Sequence, residues 1–186
     1  MTRLAINHTI HCKDEKATAV AVQMLANAIL AFYTSTPKKP QSLFISLDGD
    51  LGAGKTTATR YLLQAMDYLG KVKSPTYSLC EEHILVLPNQ ATLHVFHFDL
   101  YRMQSPKEWV EVGLLEHFTQ SDDPTLCIIE WPEKAEHTLP TMDLAITLIH
   151  PDENESELAR TVEIQAKTRK GESVLQSLSA HSSLNS

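Results

Sequence analysis

Hydrophobic and polar positions divide this chain into short strands and longer helices. Residues 5–11 read as a short strand. Over residues 14–33, Ala17, Val20, Ala21, Met24, Leu25, Ala28, Ile29 and Phe32 recur at helical spacing and make one broad apolar face. Asp14 and Glu15 suit the first turn, where negative charge meets the positive end of the helix dipole. Thr36-Pro37-Lys38-Lys39-Pro40 stops that helix. Residues 42–47 form an apolar run with no helical stripe, the pattern of a buried strand. Helical spacing returns over 57–69, with Tyr61, Leu62, Ala65, Met66 and Leu69 on the apolar side and Gly70 as the C-terminal stop. Residues 81–87 and 92–98 flank Pro88-Asn89-Gln90-Ala91 as a hairpin. Ser105-Pro106-Lys107-Glu108 predicts a helix start, Ser at the cap and Pro at the first position, running to about Phe118. Ser121-Asp122-Asp123-Pro124 breaks it before a short apolar strand at 125–129. Residues 143–150 and 158–166 suggest a second hairpin around the acidic turn 151–157. From Thr168 the apolar pattern thins, and the Ser-rich stretch 173–186 predicts a frayed tail.

Between the strand at 42–47 and the helix after it lies Gly49-Asp50-Leu51-Gly52-Ala53-Gly54-Lys55-Thr56-Thr57. The spacing of Gly49 from Gly54-Lys55-Thr56 is that of a phosphate-binding loop, in the strand-to-helix context this motif needs. Glycines let the backbone curl until its N–H groups face an anion, and the helix start adds unpaired N–H groups. Lys55 is placed to reach the terminal phosphates, and Thr56 offers a hydroxyl to Mg²⁺. The expected architecture is therefore α/β: a single P-loop NTPase-like domain over residues 1–168, a mixed central sheet flanked by helices, antiparallel hairpins, and a flexible tail at 169–186.

Composition narrows the setting. The 186 residues suit one domain, and 42% hydrophobic content is ordinary for a globular chain. The net charge of -7 argues against a broad nucleic-acid grip by the chain itself. Cys12, Cys80 and Cys127 are widely spaced and read as free thiols of a reducing compartment. No apolar stretch reads as a membrane span of ~20 residues, and charged residues interrupt the N-terminus, so the expected location is the cytoplasm.

A phosphate loop also needs acidic partners at the ends of neighbouring strands. Glu130 follows Leu126-Cys127-Ile128-Ile129, and Asp99 follows Val95 to Phe98. Either carboxylate could hold Mg²⁺ through water or orient an attacking water. Thr76, in Ser74-Pro75-Thr76, occupies the region where GTPases keep a Thr that senses the γ-phosphate. Trp131 adjoins Glu130 and so lies near the nucleotide. His94 and His97 are three apart on a strand and face opposite sides, so they cannot chelate one ion together. His97 shares a face with Asp99 and reads as a packed or hydrogen-bonded histidine. The role of Arg102 stays open.

Four blocks in this order resemble the TsaE (YjeE) family, the bacterial ATPase of tRNA threonylcarbamoyladenosine synthesis. They are residues 49–57, Ser74-Pro75-Thr76-Tyr77, His97-Phe98-Asp99-Leu100-Tyr101-Arg102 and Glu130-Trp131-Pro132-Glu133. Tyr77 stands where the family often has Phe, a change that keeps the ring. The resemblance implies a weak ATPase that associates with the TsaB–TsaD heterodimer and meets tRNA only through that complex. It implies that Asp50, Leu51, Gly52, Ala53, Gly54, Lys55, Thr56, Thr57 and Trp131 contact ATP, that Thr56 and Glu130 hold Mg²⁺, and that Asp99 and Thr76, with Glu130, serve hydrolysis. The competing reading is a small-molecule or nucleoside kinase on the same loop. Such kinases bring several Arg into a lid, whereas Arg occurs here only at 3, 60, 102, 160 and 169. A GTPase would carry an Asn-Lys-x-Asp segment, and none is present. A nucleotide-holding adaptor without useful turnover is the remaining alternative.

Overall fold

The computed structural model describes residues 6–35, 41–75, 77–118, 122–151 and 156–182. Thr76, the stop at 36–40, the breaker residue Ser121 and most of the acidic turn lie outside these residues. Among the described residues seven strands form one mixed sheet: β1 (Asn7–Cys12), β2 (Ser42–Asp48), β3 (Cys80–Val86), β4 (Thr92–Asp99), β5 (Thr125–Glu130), β6 (Leu144–Ile149) and β7 (Arg160–Ala166), in the spatial order β1-β7-β6-β2-β5-β4-β3. The four central strands run parallel, with β2 between β6 and β5, and β5 next to β4. Both edges are closed by antiparallel pairs, β3 on β4 and β1 on β7, with β7 also antiparallel to β6. The α/β expectation holds, including both hairpins.

Alternation along the central strands separates two cores. Leu43, Ile45, Leu47, Leu126 and Ile128 pack under α1 (Glu15–Ser35), α2 (Lys55–Ala65) and α4 (Arg169–Ser182). Cys127, Ile129 and Phe98 point the other way, into a smaller cluster around Trp109 of the short helix α3 (Glu108–Glu111). Every residue of β5 is buried, as expected for a strand covered on both faces. Asp14 caps α1, its carboxylate accepting from the Ala17 N–H at 2.8 Å. By length and apolar content α1 could cross a membrane, contrary to the reading that no such stretch exists. Here its apolar face is core, with Leu25, Ala26, Ala28 and Ile29 all buried.

Three local expectations change. Of the stretch expected to fray, residues 183–186 lie outside the described residues, and residues 173–182 are the body of α4. Thr168 sits at its start, its hydroxyl accepting weakly from the Gly171 N–H at 3.4 Å, and Val174, Leu175 and Leu178 bury against α1. Those three apolar positions fit a helical stripe, which the surrounding serines mask. The helix expected from Ser105 to Phe118 is only α3 followed by a 3-10 turn at Leu114–Phe118. Gly113 between them takes a left-handed φ of 80°, which ends a helix. Finally, α2 stops at Ala65 rather than at Gly70, and Asp67 takes the left-handed turn at φ 65°.

Candidate nucleotide site

The parallel strands fix where the site lies. Asp99 and Leu47 each pair with Glu130, so the C-terminal ends of β4, β5 and β2 stand side by side. The phosphate loop leaves β2 and enters α2 there. Gly49 has φ 137° and its α-carbon faces the Leu148 carbonyl so closely that a Cβ would lie 2.4 Å from that oxygen. Gly54 caps α2 in the left-handed region at φ 102°. The next residues open the helix, so their N–H groups have no intrahelical partner.

Lys55 is 5% exposed and folds back over the loop. Its ammonium donates to the carbonyls of Gly49 and Asp50 at 2.5 and 2.9 Å and lies 3.6 Å from the centre of the Trp131 ring. Burial pulls its pKa down from the usual value, while Glu130, Glu133, Asp99 and Asp50 push it back up. Trp131 holds φ 58°, a left-handed conformation that costs a non-glycine residue about 1 kcal/mol or more. Tyr101 packs on the same ring at 4.8 Å between centroids.

Glu130, 2% exposed, gathers the polar side chains. Its Oε2 accepts from the Thr56 hydroxyl at 3.0 Å, and its Oε1 faces His97 Nε2 at 2.7 Å. Asp99 is also buried, accepting from the Ser74 hydroxyl and from the Tyr101 N–H. Lys55, Thr56, Ser74, Asp99, Tyr101, Glu130 and Trp131, with Leu51, Gly52, Gly54, Thr57 and Arg102, line an open cleft of about 410 Å³, a volume suited to a small-molecule ligand. The cleft brings together Lys55, Thr56, Asp99, Glu130 and Trp131 as the sequence pattern anticipates. Ala53 is buried beneath the loop, and Thr76 lies outside the described residues.

The donor set suits Mg²⁺. Thr56 and Glu130 are hard oxygen donors already in contact, and Mg²⁺ takes one or two protein oxygens with phosphate and water completing its shell. Among the described residues no group of three or more His, Cys, Asp or Glu is placed to hold a metal, so a soft-metal or zinc-like centre has no ligand set there.

Two contributors escape sequence reasoning. Arg160 of β7 reaches behind the loop, its Nε donating to the Ala53 carbonyl at 3.0 Å and an Nη to the Gly52 carbonyl at 3.4 Å. That contact spans more than a hundred residues and follows from the strand order, which no local pattern discloses. Ser74 is the other. Its place in Ser74-Pro75-Thr76 draws attention to Thr76, while it is Ser74 that meets Asp99.

The family model for the threonylcarbamoyl adenosine biosynthesis protein TsaE matches residues 12–162. The tRNA threonylcarbamoyladenosine biosynthesis protein TsaE of Haemophilus influenzae is 38% identical over 92% of this chain and 97% of its own length. The protein of that name from Bacillus subtilis is 31% identical over 84% of this chain and 89% of its own. Among solved structures, the crystal structure of YdiB from Bacillus subtilis superposes with a TM-score of 0.67 at 22% identity, covering 97% of this chain and 99% of that one, and so shares the fold. With the ordered phosphate loop and strand-end acids, these matches place the chain: it belongs to the TsaE family of tRNA threonylcarbamoyladenosine biosynthesis proteins.

Proposed function

We propose that this chain is the ATP-hydrolysing component of tRNA threonylcarbamoyladenosine synthesis, acting in the cytoplasm with a TsaB–TsaD heterodimer and meeting tRNA only through that complex. The observation that carries the reading is the contact between Thr56 Oγ1 and Glu130 Oε2 at the start of α2. A phosphate loop and a strand-end carboxylate that share one point can grip a phosphate–Mg²⁺ unit from both sides. In this reading the loop from Asp50 to Thr57 cradles the ATP phosphates with its N–H groups, and Lys55 exchanges loop carbonyls for phosphate oxygens. Thr56 and Glu130 would hold Mg²⁺, which would supply positive charge to offset that of the phosphates. Asp99 is the base or orienting group for the attacking water, and Trp131 lines the nucleotide's edge of the cleft. Thr76 serves hydrolysis from the segment beside Ser74.

The acidic balance of the chain supports the indirect contact with tRNA, because backbone binding needs cations. Substitution at Glu130 tests the reading. Glu130→Gln should raise the Mg²⁺ needed for hydrolysis and lower turnover while leaving metal-free ATP affinity near wild type. Lys55→Ala should instead lose about ten- to a hundredfold in ATP affinity, the equivalent of one charge-assisted contact. Normal Mg²⁺-dependent turnover in Glu130→Gln would overturn the assignment.

A further inference from the structure

Behind Glu130, on the side away from the cleft, two histidines are buried in the sheet face under α2. His97 is 0% exposed and His83 is 1% exposed. The register of β3 and β4 puts them on one face, since Glu81 pairs with His97 and His83 with Val95. His97 Nε2 meets Glu130 Oε1 at 2.7 Å. His83 Nδ1 meets the Tyr68 hydroxyl at 3.0 Å, with the two rings edge to face. The remaining ring nitrogens, His83 Nε2 and His97 Nδ1, are buried and have no hydrogen-bond partner among the described residues.

The carboxylate partner fixes one proton position. A carboxylate only accepts, so His97 Nε2 carries hydrogen. If the Tyr68 hydroxyl donates to His83 Nδ1, the neutral His83 carries its hydrogen on Nε2. Burial, which lowers the pKa of His83, favours that neutral ring. The two unpartnered nitrogens therefore belong to neighbouring buried rings on one face of the sheet. The ring centroids are 6.3 Å apart, too far for the nitrogens to close to the ~3 Å of a direct bond and a separation that one water spans where the two nitrogens face each other.

We propose that His97 is the positioning residue for Glu130, and that one buried water bridging His83 Nε2 and His97 Nδ1 completes a hydrogen-bonded chain from Tyr68 to Glu130. The chain runs Tyr68 hydroxyl, His83, water, His97, Glu130. It rests on the reading of Glu130 as a Mg²⁺ ligand. The imidazole fixes Oε1, so that Oε2 is presented to Thr56 and the metal. Loss of such an outer partner typically weakens a metal site by about 10–100-fold.

Nitrogen NMR of the histidines in the full wild-type chain, without nucleotide or metal, reads the proton positions directly. Both His83 and His97 should carry hydrogen on Nε2, and a ring protonated at Nδ1 alone at either would overturn the chain. High-resolution crystallography should show a water within hydrogen-bonding distance of His83 Nε2 and His97 Nδ1, and a dry gap would overturn the bridge. For positioning, His97→Phe should raise the Mg²⁺ concentration for half-maximal ATP hydrolysis about 10–100-fold. His97→Gln, which returns an N–H to Glu130, should recover most of that loss, and metal-free ATP affinity should hold in both. An unchanged Mg²⁺ requirement in His97→Phe, or no rescue by His97→Gln, would overturn the positioning role. If Glu130→Gln itself leaves the requirement unchanged, the metal reading fails, whereas the tautomers still decide the chain. If His97→Phe does not fold, the wild-type tautomers and density decide it.

Discussion

Replacing Gly49 with Ala tests the loop geometry at its tightest point. A Cβ there would sit 2.4 Å from the Leu148 carbonyl oxygen and 3.2 Å from the Ala53 Cβ. The first contact is about 1 Å shorter than two such atoms tolerate, and both partners are fixed, one in β6 and one beneath the loop. Relief requires β2 and β6 to part or the loop to rise. The φ of 137° adds backbone strain of about 1–3 kcal/mol for a residue with a side chain, and overpacking adds about 1–3 kcal/mol. A total of about 3 kcal/mol predicts a fall in thermal midpoint of roughly 6–12 °C for a chain of this size. A loop displaced by about 1 Å would also misplace its N–H donors, enough to cost catalysis around a hundredfold. Gly113→Ala is the control: Gly113 also has a left-handed φ, but a Cβ there meets nothing within 4 Å and lies outside the cleft. Differential scanning calorimetry and ATP titration read both effects. Equal midpoints for the two variants, with unchanged ATP affinity in Gly49→Ala, would refute the close-approach argument.

Asp143→Ala should destabilise the fold by about 3 kcal/mol in urea titration, because a buried carboxylate is lost from Lys170, Thr168 and the Phe44 N–H together, discounted for the part-exposed Lys170. Tyr33→Phe should cost about 1 kcal/mol by the same assay, since the Tyr33 hydroxyl donates to the buried Thr125 carbonyl at 2.6 Å. Asp48 has its pKa raised above 3.8, chiefly by burial, so its contribution to stability is present below that pH and is lost as pH rises through the raised value. Asp48→Asn, neutral throughout, should therefore gain in thermal midpoint over wild type between pH 4 and pH 7; a gap that narrows over this range would contradict the burial argument.

Local chemistry made much of this molecule legible. The glycine spacing, the apolar run before Glu130 and the strand ending in Asp99 each announce a backbone path, and parallel register then brings their ends together. His97 was readable as a hydrogen-bonded residue from strand alternation, although its partner was not, because Glu130 lies on another strand. Arg160 and the His83–His97 pairing depend on strand order and register, which periodicity leaves open. Helix α4 is hidden by its composition: serines dominate the stretch, while the helical spacing of Val174, Leu175 and Leu178 carries the burial. The early end of α2 at Ala65 is a conformational choice of Asp67, where Gly70 offered the stronger local signal.

Steady-state phosphate release at saturating ATP and Mg²⁺, with and without the TsaB–TsaD heterodimer, decides whether this chain hydrolyses ATP as part of that complex. Among the described residues the cations lining the cleft are Lys55 and Arg102, and a cation supplied by a partner can raise phosphoryl transfer by about 10³–10⁵. The account predicts slow release by the chain alone, faster release in the complex, and loss of the stimulated rate in Asp99→Ala with ATP binding retained. Equal rates with and without the heterodimer, or full stimulation in Asp99→Ala, would contradict it.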